Sequence, residues 1–325
     1  MATQRLPQYP VQHTPATPSH DVVEIARPET TRDAGYYNIP FLKRPLWGWE
    51  IALYFSCEGI SAGAYVLSAM AELFGGGQYR GLVRSARYLS FVFIVPAPPL
   101  LIADLGRPER FHHMLRVFKP LSPMNLGAWA LTAYSLPVTL LAAQQATQDN
   151  LPWTDPVPEF FQHLPTKPIA VAGLPGAMTM ISYPGVLLST TSTPVWTRSR
   201  FLGALISCSS ISMAAAALSF VAEISEDTAS VRVLQKIERA AVICESGALA
   251  GYLATSGETA RPLVAGKYAT HFWMGAVLCG LVLPSLLPAR RKKSFGLLRS
   301  ALKLVGGFAL KWALTHSGRE SALNP

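Results

Sequence analysis

Apolar and polar positions fall in long blocks along this chain, not at the short periods of a soluble fold. Apolar runs of helix length lie at about Trp49–Phe74, Leu82–Ala103, Asn125–Ala146, Pro168–Ser192, Arg200–Glu223, Ile237–Thr255 and His271–Leu287. A hydrocarbon core about 30 Å thick needs roughly 20 helical residues per crossing, so each run reads as a membrane span. An eighth run, about Phe295–Leu314, carries Arg299, Lys303 and Lys311. It reads either as a last span or as an amphipathic helix lying in the interface. Gly75-Gly76-Gly77 closes the first run, and Pro96, Pro98 and Pro99 should kink or break the second near its end. The polar connector 147–167 holds Pro152, Pro156, Pro158 and Pro165. Ahead of the first run, Lys43-Arg44 with Trp47 and Trp49 forms an interfacial anchor. The polar, Pro-rich start of the chain has no apolar h-region; it predicts a disordered tail, not a cleavable signal.

Composition agrees. Half of the 325 residues are hydrophobic and 14% are charged, against about 25% charged in soluble domains. The net charge of +9 does not point to nucleic acid. The basic residues sit between apolar runs, where they meet lipid headgroups or fix topology. They split almost evenly between the two sides, so charge leaves the orientation open. Cys57, Cys208, Cys244 and Cys279 all lie in apolar runs without a CxxC pair. They read as small buried residues, not as a disulfide framework, a zinc site or cluster ligands. A haem b would need several His inside helices, and only His271 touches a predicted span. No Walker A, GxSxG or HExxH motif is present. No metal is expected on this chain.

Candidate chemistry begins in the loop Ile102–Trp129, which packs Asp104, Arg107, Glu109, Arg110, His112, His113, Arg116 and Lys119 between two apolar runs. Asp104 at the membrane edge suits proton exchange with water; it equally suits an Asp104–Arg107 pair that shapes the turn. On a helix, adjacent His112 and His113 point about 100° apart. In the first run Tyr54, Glu58, Ser61 and Tyr65 share one helix face, beside a Gly59/Gly63 close-packing pair. An acid at that depth is costly and marks function by default; the alternative is a neutral Glu bonded between helices. Cys244-Glu245, Tyr252, Gly247 and Gly251 repeat the arrangement in the sixth run. Glu58 and Glu245 together could relay protons, with Glu223 either as an inner mouth or simply solvated beside Glu226 and Asp227.

WGWEIALYF with EGISAGAY, IADLGRPERF with RVFKPLSPMNLGAW, and SYPGVLLSTTSTPVW together resemble the NrfD/PsrC membrane subunits of complex iron–sulfur molybdoenzymes. The likeness is good over roughly 45–200 and rests on hydropathy beyond. It implies an all-α polytopic membrane protein of about eight transmembrane helices in two four-helix bundles. With the hydropathy pattern this divides the protein into a tail 1–44, a first bundle 45–194 holding a quinone site, a second bundle 195–314, and a tail 315–325. It also implies a menaquinone or ubiquinone near the outer face, no haem, and both termini outside the cytoplasmic membrane. The implied partners are a ferredoxin-like 4Fe–4S subunit and, through it, a molybdopterin or other catalytic subunit. The resemblance assigns quinone contact to Tyr183 in SYPG and to Tyr54, where some members carry His. A Tyr there exchanges protons poorly near neutrality, which would shift that task to Glu58. Asp104, Arg107 and His112 complete the expected quinone and proton site. Arg110, Arg116 and Lys119 are the expected docking surface.

Two other classes use the same features. A secondary transporter or channel would use Glu58 and Glu245 with the broken helices, but has no need of a basic outer loop. A purely structural anchor would hold the iron–sulfur partner without binding quinone.

Overall fold

A computed structural model describes residues 45, 47–151, 159–287 and 293–322. The expected N-terminal tail, Pro152, Pro156, Pro158 and Arg290–Lys292 lie outside these residues. Every regular element among the described residues is helical. α1 (Trp49–Phe74) covers the first apolar run. The second run gives α2 (Arg80–Ile94) and α3 (Ala97–Ala103), broken at Pro96, with Pro98 in the first turn of α3 where a missing N–H costs nothing. α4 (His113–Arg116) is a single turn within the charged loop. α5 (Pro123–Gln148) starts at Ser122, whose hydroxyl accepts the Asn125 N–H at 3.5 Å. α6 (Thr166–Ser189) runs through Pro175 and Pro184, and α7 (Pro194–Thr197) is one turn. α8 (Leu202–Ile224) precedes α9 (Thr228–Ser256), which is capped by the Asp227 carboxylate on the Ser230 N–H at 3.1 Å. After the short α10 (Arg261–Val264), α11 (His271–Leu286) opens with a wider i→i+5 winding over His271–Val282. α12 (Lys293–Ser321) ends the described residues.

α1, the joined α2–α3, α5, α6 and α8 are each long and apolar enough to cross a bilayer, and α11 is a shorter apolar helix. α9 and α12 fall below that apolarity because they carry charges: Glu238 and Glu245 of α9 are buried and paired with Arg299 and Lys303 of α12, while Arg232, Lys236 and Arg239 of α9 are exposed. α12 is not the interfacial helix weighed as an alternative. It packs against α1, α8 and α11, and Lys303, Leu310, Lys311 and Leu314 are all buried. It also continues to Ser321, so most of the expected tail 315–325 is helix.

Leu42–Pro325 forms one compact unit. α1 is its hub, packed on α2, α6, α8 and α12. Gly59 and Gly63 let it approach α8, since a Cβ on either would run into Ser210 or Ala214. The second expected close-packing pair does not act that way. Gly247 faces open space, and the atoms nearest a Cβ at Gly251 would be those of the Phe201 ring.

Candidate functional site

The three sequence motifs converge at one end of the bundle. Trp47, ahead of α1, stacks on Trp196 of α7 with centroids 5.2 Å apart. The Trp196 indole N–H donates to the Leu314 carbonyl of α12 at 2.8 Å. Asp104, just past α3, accepts the Gly48 N–H at 3.4 Å. Asp104 makes no ion pair with Arg107 among the described residues; the charges nearest it are Glu50 and Arg319. The turn-shaping pair is therefore absent. Burial raises the Asp104 carboxyl above its usual range, partly offset by the Gly48 N–H.

The charged loop is held by one side chain. The Asn125 carbonyl oxygen accepts the Lys119 N–H at 2.6 Å, while its amide donates to the Met114 and Val117 carbonyls at 2.6 and 3.1 Å. Sequence reasoning missed this role; an Asn two residues after a Ser-Pro helix start was the available signal. So pinned, the loop presents Arg107, Glu109, Arg110, His112, His113, Arg116 and Lys119 to the outside. The two His rings meet edge to face at 4.4 Å. Phe111, Val117, Phe118 and Leu121 are exposed among these charges. Arg107 and His112 thus lie on the loop's surface, together with the residues expected to dock a partner.

The expected tyrosines lie deeper. Tyr54 and Glu58 of α1 are fully buried one turn apart, and Tyr183 of α6 is within electrostatic reach of both. The Tyr54 hydroxyl and the Glu58 carboxyl face each other, and neither has a hydrogen bond of good geometry to any other group. Tyr183 lies against α5 at Gly127, where any Cβ would overlap the phenol ring. The lower part of the same α1 face is satisfied. Ser61 donates to the Ser90 carbonyl at 2.7 Å and meets the Tyr134 hydroxyl at 3.0 Å. Tyr65 donates to the Ile169 carbonyl at 3.0 Å. Polar groups without well-made hydrogen bonds are costly to bury, so Tyr54–Glu58 stands out against the paired Ser61 and Tyr65 on the same helix face.

Between α3, the foot of the charged loop and α5 runs an apolar groove of about 270 Å³. Leu101, Ile102, Leu105, Phe111, Met114 and Leu131 line it. It links the foot of the charged loop to the helix that carries Gly127.

Glu245, unlike Glu58, has an ion-pair partner. Lys303 of α12 donates to it at 2.5 Å and to the Gly280 carbonyl at 2.9 Å. One helical turn toward the opposite end, Arg299 pairs with Glu238 at 2.6 Å. These α12 cations were not expected site residues. Their four-residue spacing within an apolar run was the signal. Glu226 is exposed, as the solvated reading expected, and lies 3.0 Å from the exposed Lys293, while Asp227 caps α9. His316 joins His271 within helix, its ring 5.2 Å from that of Tyr268.

A family model described as polysulphide reductase, NrfD, matches residues 39–320. Over 302 residues the protein is 25% identical to the C subunit of polysulfide reductase from Wolinella succinogenes, spanning 84% of this protein and 94% of that one. It is 25% identical over 308 residues to protein NrfD of Escherichia coli, spanning 84% and 95%. A shorter stretch of 76 residues is 30% identical to the Hdr-like menaquinol oxidoreductase integral membrane subunit of Archaeoglobus fulgidus, covering 23% of this protein and 19% of that one.

Proposed function

The chain belongs to the polysulphide reductase NrfD family of integral membrane proteins, a membrane subunit of a reductase complex, and from that premise we propose that it exchanges electrons between a membrane quinone and an iron–sulfur partner. The observation that carries this reading is the convergence of Tyr54, Glu58 and Tyr183 beneath the charged loop, the hydroxyl and carboxyl of the first two facing each other with no hydrogen bond of good geometry to any other group. Two phenols and a carboxyl in an apolar setting suit the carbonyls of a quinone head: the phenols donate and the carboxyl supplies or takes a proton. The apolar groove suits an isoprenoid tail. A bound quinone would supply the two-electron chemistry. This protein's part is to orient the head, keep water away and hold protons at Glu58 and, at the membrane edge, at Asp104.

The loop suits the partner. Exposed Phe111, Phe118 and Leu121 interleaved with Arg110, Arg116 and Lys119 make a basic surface with apolar anchors, favouring an acidic electron-transfer subunit. Arg107 and His112 belong with this surface rather than with the quinone head. On this reading the loop end faces outward from the cytoplasmic membrane, carrying both termini with it. The test is quinol-driven reduction of the partner's clusters in the purified complex. Tyr183→Phe should raise the KM for quinol by about tenfold, the loss of one discriminating hydrogen bond. A quinone analogue should block the reaction. Reduction indifferent to both would leave only the anchor role.

A further inference from the structure

α12 carries Arg299, Lys303, Gly307, Lys311 and Thr315 at successive four-residue steps, so they form one strip along the helix. Arg299 and Lys303 are paired with Glu238 and Glu245 of α9. Lys311 is not. Its ammonium is fully buried, and the hydrogen bond it makes is to the Met213 thioether at 3.2 Å, a weak acceptor. Met213 fills the notch left by Gly307, where a Cβ would collide with its side chain. The charged groups facing Lys311 are Glu245 of α9, Lys303 of its own helix and Glu58 of α1. The groups facing Glu58 are Tyr54 on α1, Lys311 on α12, Tyr134 on α5 and Tyr183 on α6. A buried cation without an ion-pair partner thus faces both a carboxylate paired with Lys303 and one that has only the Tyr54 hydroxyl beside it. At the other end of the strip, a cavity of about 300 Å³ reaches the paired groups, lined by Glu238, Arg239, Ser285 and Arg299.

Resting on the quinone reading above, we infer that Lys311 is the proton-exchange partner of Glu58 and that the α12 strip carries protons to the quinone site from the end of the bundle opposite the charged loop. Lys311 passes a proton to the Glu58 carboxylate, leaving an amine and a carboxylic acid. Glu245, protonated from the cavity end of the strip by way of Glu238, passes that proton to the amine and returns to the carboxylate that pairs with Lys303. Each exchange moves one proton and no electron. Met213, with three rotatable bonds, occupies the gap between the paired and unpaired halves of the strip and holds the ammonium between exchanges.

The experiment uses the complex with its iron–sulfur partner. Lys311→Met removes charge and proton together. Lys311→Arg keeps the charge but binds its proton too tightly to release it. Both variants should lower quinone turnover by about tenfold or more and change its pH profile, while quinone-analogue binding stays within about twofold. Lys311→Arg turning over at the wild-type rate with an unchanged profile would reduce the residue to a fixed counter-charge and overturn the proposal. A second measurement needs no quinone. The infrared carboxyl band of Glu58, identified by its loss in Glu58→Gln, should change intensity in Lys311→Met; an identical band would also overturn it. If Lys311→Met does not assemble, Lys311→Arg carries the turnover and the band measurement. A wild-type complex inert toward quinol would refute the quinone reading, and the Glu58 band would still decide the pair.

Discussion

At the residue scale, the informative contrast is between two acids in matching sequence settings. Cys57-Glu58 and Cys244-Glu245 each precede a Tyr by the same interval. Both tyrosines, Tyr65 and Tyr252, donate to backbone carbonyls of a neighbouring segment. Yet Glu245 is ion-paired, and Glu58 has no ion-pair partner among the described residues. Local sequence does not distinguish them, because the partner of Glu245 comes from a helix 58 positions away. Asp104 gives a prediction whose sign can be worked out. Burial raises its carboxyl above the unfolded value of about 3.9. The folded state therefore keeps this proton to higher pH than the unfolded state does. The resulting penalty on folding is absent below the unfolded value and fully present above the folded one. Asp104→Asn should thus leave thermal stability at neutral pH unchanged or raised. If Asp104 exchanges protons with outer water, the same variant should lower quinol turnover by about tenfold or more and flatten the acid limb of the pH profile. Parallel loss of stability and turnover would assign Asp104 to structure instead.

At the scale of elements, α12 and the charged loop each depend on a single arrangement. Lys303→Met would leave Glu245 buried without a cation, costing about 3 kcal/mol. The Tm of the detergent-solubilised protein should fall clearly, and the further change Glu245→Gln should recover most of it. Additive losses in the double variant would mean that the two groups do not act as a pair. In the loop, Asn125→Leu removes three bonds to Lys119, Met114 and Val117. The helices should still form, since Ser122 and Pro123 start α5 independently. The partner's affinity should fall by about tenfold, and protease cleavage between Arg107 and Lys119 should rise. Unchanged affinity with increased cleavage would separate the loop from docking.

At the scale of the whole molecule, the basic residues of the two sides are not equivalent. Arg87, Arg299, Lys303 and Lys311 are buried within the bundle, and Arg87 pairs with Glu72 at 2.8 Å. Arg299 and Lys303 likewise pair with Glu238 and Glu245, whereas the basic residues of the loop are exposed. Orientation therefore needs direct measurement. Reporters fused beyond Ser321 and inserted between Glu109 and Lys119 should read the same side, the outer one, and a reporter after Gly75 should read the other. The contacts of Asp104 with Gly48, and of Trp196 with Trp47 and Leu314, already gather the loop end, the start of α1 and the end of α12 together.

The helical class, the positions of eight helical segments, the Pro96 break and the family motifs were all legible in the order of residues. These features rest on local physics: apolar length, helix-breaking residues and short-range capping. Glu58 stood out on the same footing, as an acid at membrane depth, whereas the roles of Tyr54 and Tyr183 were implied by the family resemblance. That these three meet, that Arg107 and His112 stay on the surface, and that Gly247 faces open space emerged only from the packed bundle. So did the position of α12 inside it, with Lys311 between two acids. Each of these depends on which helices become neighbours, and hydropathy cannot report that, because a charged residue scores the same whether it meets water or a buried partner of opposite sign.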